Sequence, residues 1–361
     1  MKQRIPAYAC ELVGTAAMMA VGIGAVVFFW AQGSPGPHIT NERLRLLVTG
    51  LIFASSATLV VYSPLGQLSG GHLNPAVTLG FWRLRRIGTR DALGYIIAQA
   101  IGALAGVMLV ARVAGDLGRS VDLGATRPGT GVTMTAAFGY ETAITFALMF
   151  LILACLNKPR LASYTGVAAG ALVALLVTIE APLTGTSLNP ARSFAPALMT
   201  GRLDVIWIYL VAPPTGALLA AAAWRGRWGA RQAFICAKLY HAGSSPCQFP
   251  GCPYVSMRAG DTLVRQGDHG DEAFVIESGE VEIRRGDRML ARLGPGDWFG
   301  EMSVLLDEPR SATVVATTDG RVRRLARATF DQVMADDPKH AIELMRQLAG
   351  RVREADRQLG E

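Results

Sequence analysis

Acidic residues are scarce in the first 228 positions of this 361-residue chain, where eight Asp and Glu stand against 17 Lys and Arg. Residues 229–361 reverse the balance, 20 acidic against 18 basic, so the whole-chain charge of +7 belongs to the first part. Long charge-poor runs joined by basic connections have this balance when a chain crosses a bilayer, and no nucleic-acid partner is needed to explain it. Cysteine is sparse too. Cys10 and Cys155 lie in apolar runs and Cys236, Cys247 and Cys252 lie further on, which is unlike a secreted disulfide framework. With His241, the last three leave zinc or an iron–sulfur cluster open, but gaps of ten and four residues miss the paired C-x-x-C pattern. Residues 229–254, rich in Gly, Pro and Ser, are read as a linker without metal. No phosphate-cradling P-loop is present, so neither an ATP-driven pump nor an enzyme is expected. No small-residue cleavage site accompanies the first apolar run after Met-Lys-Gln-Arg, and that run is read as an uncleaved span.

Six apolar runs are present, at residues 8–30, 44–63, 92–113, 133–156, 162–180 and 205–224. Each is about 20 residues long, the length a bilayer requires. Two shorter pieces, residues 72–81 and 188–199, follow the second and fifth runs. Each carries an Asn-Pro-Ala, Asn74-Pro75-Ala76 in one and Asn189-Pro190-Ala191 in the other. Asn caps free backbone N–H groups and Pro suits a first helical turn, so each tripeptide starts a helix too short to cross. Pro-interrupted short segments at matching places in two halves point to an inverted repeat whose half-helices meet at the bilayer midplane. Glu11 with Thr15 and Glu141 with Thr145 repeat the correspondence in the first span of each half.

Loop charge orients the spans. Arg83, Arg85, Arg86 and Arg90, then Lys158 and Arg160, then Arg225, Arg227 and Arg231 fall on one side, which the positive-inside rule makes cytoplasmic along with both termini. The connection over residues 114–131 lies outside, its Arg119 and Arg127 balanced by Asp116 and Asp122.

Residues 69–80, SGGHLNPAVTLG, and 186–198, TSLNPARSFAPAL, resemble the two signature loops of the aquaporin, or major intrinsic protein, family, and residues 94–103, GYIIAQAIGA, resemble its third span. The resemblance covers about residues 5–225. It implies a six-span hourglass with two re-entrant half-helices, assembled as a homotetramer with one pore per subunit in the plasma membrane. Half-helices starting at Asn74 and Asn189 turn their positive ends to the midplane and disfavour cations, while the Asn amides can donate to a solute oxygen. Glu11 and Glu141, carboxylates inside spans, are read as acceptors for N–H groups of the re-entrant loops, with Gln99 doing similar work; a proton relay is the alternative. His72 is read as a packed, hydrogen-bonded vestibule residue rather than a pH gate. Glu180 is expected to be a solvated charge at a helix end near the outer mouth.

The family's selectivity filter comprises one residue each from spans two and five, one from the second loop, and an Arg. Counting from the motifs without gaps gives Ala54, Val177, Thr186 and Arg192, the first two open to a shift of one helical position. Strict water channels of the family place an aromatic and a His where Ala54 and Val177 stand, so this ring is expected to be wider and less polar. It resembles nodulin-like filters that pass glycerol or uncharged metalloid acids. Ser193, where glycerol facilitators carry Asp, argues toward water, and a strictly water-selective channel is the alternative.

From residue 255 the pattern turns soluble and β-rich. Apolar alternation with a Gly turn in AFVIESGEVEIRRG (residues 273–286) and Gly-Asp turns in RQGDHGDEAF and LGPGDWFGE suggest a β-roll. A helical pattern closes the chain over residues 328–358, with Phe330, Val333, Met334, Ile342, Met345, Leu348 and Val352 as its apolar stripe. FGEMSVLLDEPRSATV (residues 299–314) resembles the phosphate-binding cassette of cyclic-nucleotide-binding domains, a resemblance covering about residues 255–358. It implies that Glu301 holds a ribose 2′-hydroxyl and Arg310 the cyclic phosphate, whose two oxygens suit a guanidinium fork. Gly300, Ser311 and Ala312 would allow close backbone approach. Ser311 in place of Thr leans toward cyclic AMP over cyclic GMP; a degenerate roll without ligand is the alternative.

The fold expected is therefore an α-helical membrane channel over residues 1–228, a linker, and a cytoplasmic β-roll with C-terminal helices over residues 255–361. The function expected is passive passage of water or small uncharged solutes, regulated by cyclic nucleotide. Two rivals are a membrane-anchored nucleotide sensor or scaffold and a nucleotide-gated ion channel. Against the second, no span carries a row of Arg.

Overall fold

A computed structural model describes residues 4–36, 39–228, 238–239, 254–327, 330–331, 334 and 338–359. The expectations made for Cys236, His241, Cys247, Cys252 and Val333 lie outside the described residues. The described chain divides into two compact units: the helices up to residue 227 together with Lys238 and Leu239, and the strands and helices that follow.

In the first unit, six helices are long and apolar enough to span a membrane: α1 (Arg4–Trp30), α2 (Glu42–Tyr62), α5 (Thr89–Ala114), α7 (Met134–Leu156), α9 (Thr165–Thr184) and α11 (Ile206–Trp228). Short helices α3 (Pro64–Ser69), α6 (Asp116–Ser120) and α8 (Pro159–Ala162) lie in the connections. The two half-helices are α4 (Pro75–Arg83) and α10 (Pro190–Thr200). Each starts as its sequence requires. The Asn74 carboxamide oxygen accepts the Ala76 N–H at 2.8 Å, and that of Asn189 accepts the Ala191 N–H at 3.0 Å. Such a cap stabilises a helix by about 1 kcal/mol, and the following Pro has no N–H to leave orphaned.

Close crossings hold the bundle. A Cβ on Gly102 of α5 would stand 2.2 Å from the Leu12 carbonyl oxygen of α1, and one on Gly216 of α11 would stand 2.2 Å from that of Thr142 of α7. Small residues let membrane helices approach to backbone contact, where packing rather than the hydrophobic effect drives association. These two crossings occupy equivalent places in the two halves.

The second unit holds two four-stranded antiparallel sheets. One runs in the order β1 (Tyr254–Met257), β8 (Gly320–Ala326), β3 (Glu272–Ser278), β6 (Trp298–Phe299). The other runs β2 (Thr262–Val264), β7 (Thr313–Ala316), β4 (Val281–Arg285), β5 (Arg288–Leu293). The Gly279 turn between β3 and β4, at φ 84°, therefore carries the chain from one sheet to the other rather than closing a hairpin. Phe274, Ile276, Val281, Val314 and Val322 fill the space between the sheets. A short helix, α12 (Glu301–Leu306), follows β6, and a long helix, α13 (Pro338–Leu359), closes the unit. The apolar stripe differs from expectation here. Ile342 and Met345 are exposed, and Leu344, with Leu348 one turn on, faces the core around Trp298 and Phe330.

Candidate functional site

The re-entrant loops before α4 and α10 correspond position for position. Leu73 and Leu188, each just before its Asn, take left-handed backbone angles, φ 53° and 56°, uncommon for a side chain of this kind. Strain of this sort persists only where surroundings over-determine it, and a buried carboxylate does so in each half. Glu11 accepts the backbone N–H groups of His72 (3.0 Å) and Leu73 (2.8 Å), the Ser69 hydroxyl (2.7 Å) and the Gln99 amide (2.7 Å). Glu141 accepts the N–H groups of Ser187 (2.7 Å) and Leu188 (3.0 Å) and the Thr184 hydroxyl (2.7 Å). Tyr95 donates to the Ser69 carbonyl and Tyr209 to that of Thr184, completing the parallel. A buried carboxylate is tolerated in such a place because several donors converge on it.

The two loops are then tied across the interface of the halves. The Asn74 amide donates to the Leu188 carbonyl and the Asn189 amide to the Leu73 carbonyl, both at 2.9 Å. An amide nitrogen carries two hydrogens, so each Asn keeps one beyond this tie. Both line a cavity of about 400 Å³ that also meets His72, Leu148, Phe53, Ala54, Val177, Thr186 and Arg192. His72 is buried, stacked on Phe81 at 4.9 Å, with its Nδ1 3.1 Å from the Thr78 hydroxyl.

All four expected filter residues meet this one cavity, and the sequence reading missed two others beside them. The Arg192 guanidinium lies 5.6 Å from the centre of the Phe53 ring, one position before Ala54. Val177 faces Gly50, where a Cβ would stand 2.9 Å from its own. The shift of one helical position left open at Ala54 was the available signal for Phe53. Arg192 donates to the Gly124 carbonyl at 2.7 Å, which fixes the guanidinium. Ser193 is fully buried in a hydroxyl chain with Thr126 (2.7 Å) and Ser187 (2.6 Å) and is absent from the cavity lining.

Glu180 departs from expectation. It is buried, 4% exposed, and its carboxylate contacts the Thr184 hydroxyl that also serves Glu141. The reason is that α9 continues through Pro182 to Thr184, placing Glu180 one turn inside the helix end. The connection over residues 114–131 does form ion pairs, Arg119 with Asp116 at 2.9 Å and Arg127 with Asp122 at 3.8 Å, and Arg202 joins Asp122 at 2.9 Å.

In the second unit, Gly300, Glu301, Arg310, Ser311 and Ala312 line one cavity of about 650 Å³, within the range of small-ligand sites. Arg310 donates to the Gly300 carbonyl (2.6 Å) and the Ser303 hydroxyl (2.7 Å). Gly270 lies so close that a Cβ there would stand 2.3 Å from the guanidinium. The loop of Gly267 and Asp268 brackets the Arg310 backbone, with the Gly267 N–H on its carbonyl and its own N–H on that of Asp268, both at 2.9 Å. Burial lowers the Arg310 pKa, opposed by Glu272, Asp271, Glu301 and Asp268. Glu301 is 1% exposed, and burial raises its carboxyl pKa, opposed by Arg351. Arg351 of α13 donates to Glu301 at 2.8 Å and to the Trp298 carbonyl. The other Glu301 oxygen has no hydrogen bond from another residue among the described residues. A hydroxyl donor fits there, and a phosphate at Arg310 fits a guanidinium held by neutral acceptors. Sequence reasoning did not find Ser303, Gly270 or Arg351, whose roles depend on tertiary approach.

Comparison with known proteins agrees with this geometry. Residues 2–224 match the Major intrinsic protein family model, and residues 254–337 match that of the Cyclic nucleotide-binding domain. The chain belongs to the major intrinsic protein family, as a multi-pass membrane channel rather than an enzyme, and it carries a cyclic-nucleotide-binding domain. It is 37% identical over 217 residues to a glycerol uptake facilitator protein-like 6 of Lactiplantibacillus plantarum, covering 59% of this chain and 94% of that one. It is 35% identical over 228 residues to an aquaporin, AqpM, of Methanothermobacter thermautotrophicus, covering 58% and 92%. Among solved structures, the aquaglyceroporin of Plasmodium falciparum has a similar fold, with TM-score 0.53 and 22% identity over 62% of this chain and 96% of that one.

Proposed function

We propose that this channel conducts water and small uncharged polar solutes of glycerol or metalloid-acid size, and that cyclic nucleotide bound at Glu301 and Arg310 regulates the flow. The carrying observation for the solute is the wall of the constriction: Phe53 beside Arg192 on one side, Val177 facing Gly50 on another. An apolar and aromatic surface suits the carbon edge of a small polyol, and the fixed guanidinium and Asn amides suit its hydroxyls. Opposed N-termini of α4 and α10 keep cations out. The carrying observation for the ligand is a buried Glu301 oxygen that takes no hydrogen bond from another described residue, sharing one cavity with the Arg310 guanidinium. Cyclic AMP is the ligand favoured by Ser311. The reading includes a homotetramer in the plasma membrane with both termini cytoplasmic, which places the nucleotide domain where nucleotide is made.

A solute panel in proteoliposomes (water, glycerol, boric acid, urea) tests the selectivity. Flux of glycerol or boric acid alongside water is expected. Water flux alone would favour a strict water channel, and ionic current in planar bilayers would contradict the cation exclusion.

A further inference from the structure

We propose that Lys238 and Leu239 form a plug that closes the channel from the end marked by Gly70 and His72. The proposal rests on the reading of a nucleotide-regulated channel and supplies the device that regulates it. In chain order, Leu239 lies between the last span, α11, and the first strand of the nucleotide domain, β1. A leucine in a connecting segment has no need of a buried place, yet this one is 4% exposed. It lines the same cavity as Asn74, Asn189 and Arg192. Val61, Gly71 and Gly166, from the end of α2, the first re-entrant loop and the start of α9, line that cavity with it.

The seat is specific. The Leu239 N–H donates to the Gly70 carbonyl at 3.0 Å. Gly70 caps α3 in the left-handed conformation, φ 95°, with its own N–H on the Gly66 carbonyl at 2.7 Å, and its carbonyl is left to accept. Lys238, the residue before Leu239, is buried as well. An apolar side chain set in a narrow aqueous path shuts it by excluding water, without any rearrangement of the spans.

The hold is also weak enough to release. Among the described residues, the Leu239 hydrogen bond to Gly70 and the buried Lys238 and Leu239 side chains hold the plug, interactions on the scale that a ligand's differential affinity can outweigh. Nucleotide need only bind better when the segment is withdrawn than when it is seated. The re-entrant loop that receives Leu239 is the one Glu11 holds rigid, so the plug meets a fixed rim rather than a yielding one.

The test compares full-length wild type with Leu239→Gly in proteoliposomes, reading osmotic water flux with and without saturating cyclic AMP. Nucleotide binding and particle size are measured in the same preparations to establish that both are folded. The plug predicts that Leu239→Gly raises nucleotide-free flux by about threefold or more and removes any further rise with cyclic AMP. Leu239→Gly flux equal to wild type without nucleotide overturns the plug, and if wild type still responds to cyclic AMP the regulated-channel reading survives. A raised flux in Leu239→Gly with a wild type blind to bound cyclic AMP supports the plug and overturns nucleotide control. No flux from either protein contradicts both.

Discussion

Under the proposed function, single side chains decide what passes and what is sensed. Phe53 supplies the aromatic wall beside Arg192, so Phe53→Ala should widen the constriction and admit a larger polyol such as erythritol, readable as swelling in stopped-flow light scattering. Equal erythritol flux in wild type and variant would move the constriction elsewhere. Arg310→Ala removes a charge-assisted bidentate partner, worth about 1.5–3 kcal/mol, and should weaken cyclic AMP binding by about 10- to 150-fold in calorimetry while sparing channel folding. Glu301 connects binding to pH. Its carboxyl pKa is raised by burial, so the folded nucleotide domain holds that proton more tightly than the unfolded chain does. Stability should therefore fall as pH rises from the ordinary carboxylate range through the raised value. Affinity for cyclic AMP should rise over the same interval, because the ionised oxygen is the better acceptor. Glu301→Gln should flatten both profiles, and unchanged slopes in thermal unfolding and titration would remove Glu301 from the site. That Arg310 and Glu301 meet in one cavity was legible in the sequence because a short contiguous segment carries them. Phe53 and Ala54 were not separable, because adjacent helix positions differ by 100° of rotation and a one-residue loop difference is invisible without the structure.

Loops and half-helices show where local rules suffice. Asn-Pro-Ala announces its helix start because capping and the missing Pro N–H act within three residues, and both caps form as the sequence requires. The buried carboxylates were legible as pairs within repeats, but not the donors they gather. Glu11→Ala would leave the N–H groups of His72 and Leu73 and the Ser69 hydroxyl without their acceptor. At about 1–3 kcal/mol for each buried group left unsatisfied, the first re-entrant loop should lose its geometry. The expected outcome is low yield of folded channel, with Glu11→Gln, which keeps an acceptor oxygen, retaining more. Comparable yields would mean the loop is held by packing alone. Glu180 shows the limit of local reasoning. Proline argues for ending a helix, but α9 runs through Pro182 to Thr184, one turn beyond Glu180. That extra turn carries Glu180 from the expected solvent to a buried place on Thr184. The C-terminal stripe misled for a related reason: Ile342 and Met345 are apolar, but the face of α13 that meets Trp298 carries Leu344.

The chain as a whole joins a channel of the major intrinsic protein family to a cyclic-nucleotide-binding domain, and Leu239 of the intervening segment lines the channel cavity. That much of the architecture was legible because composition, span length and two signature segments all change at the same places along the sequence. The seat of Leu239 was not, since a lone leucine in a Gly- and Pro-rich stretch has no periodicity to betray it. The central claim is that nucleotide controls flow. Stopped-flow osmotic permeability of full-length proteoliposomes, titrated with cyclic AMP and repeated with Arg310→Ala, tests it most directly. The account predicts permeability that changes with cyclic AMP over the same concentrations as binding, and an Arg310→Ala channel that conducts but does not respond. Identical permeability at zero and saturating nucleotide, with binding demonstrated in the same vesicles, would contradict it.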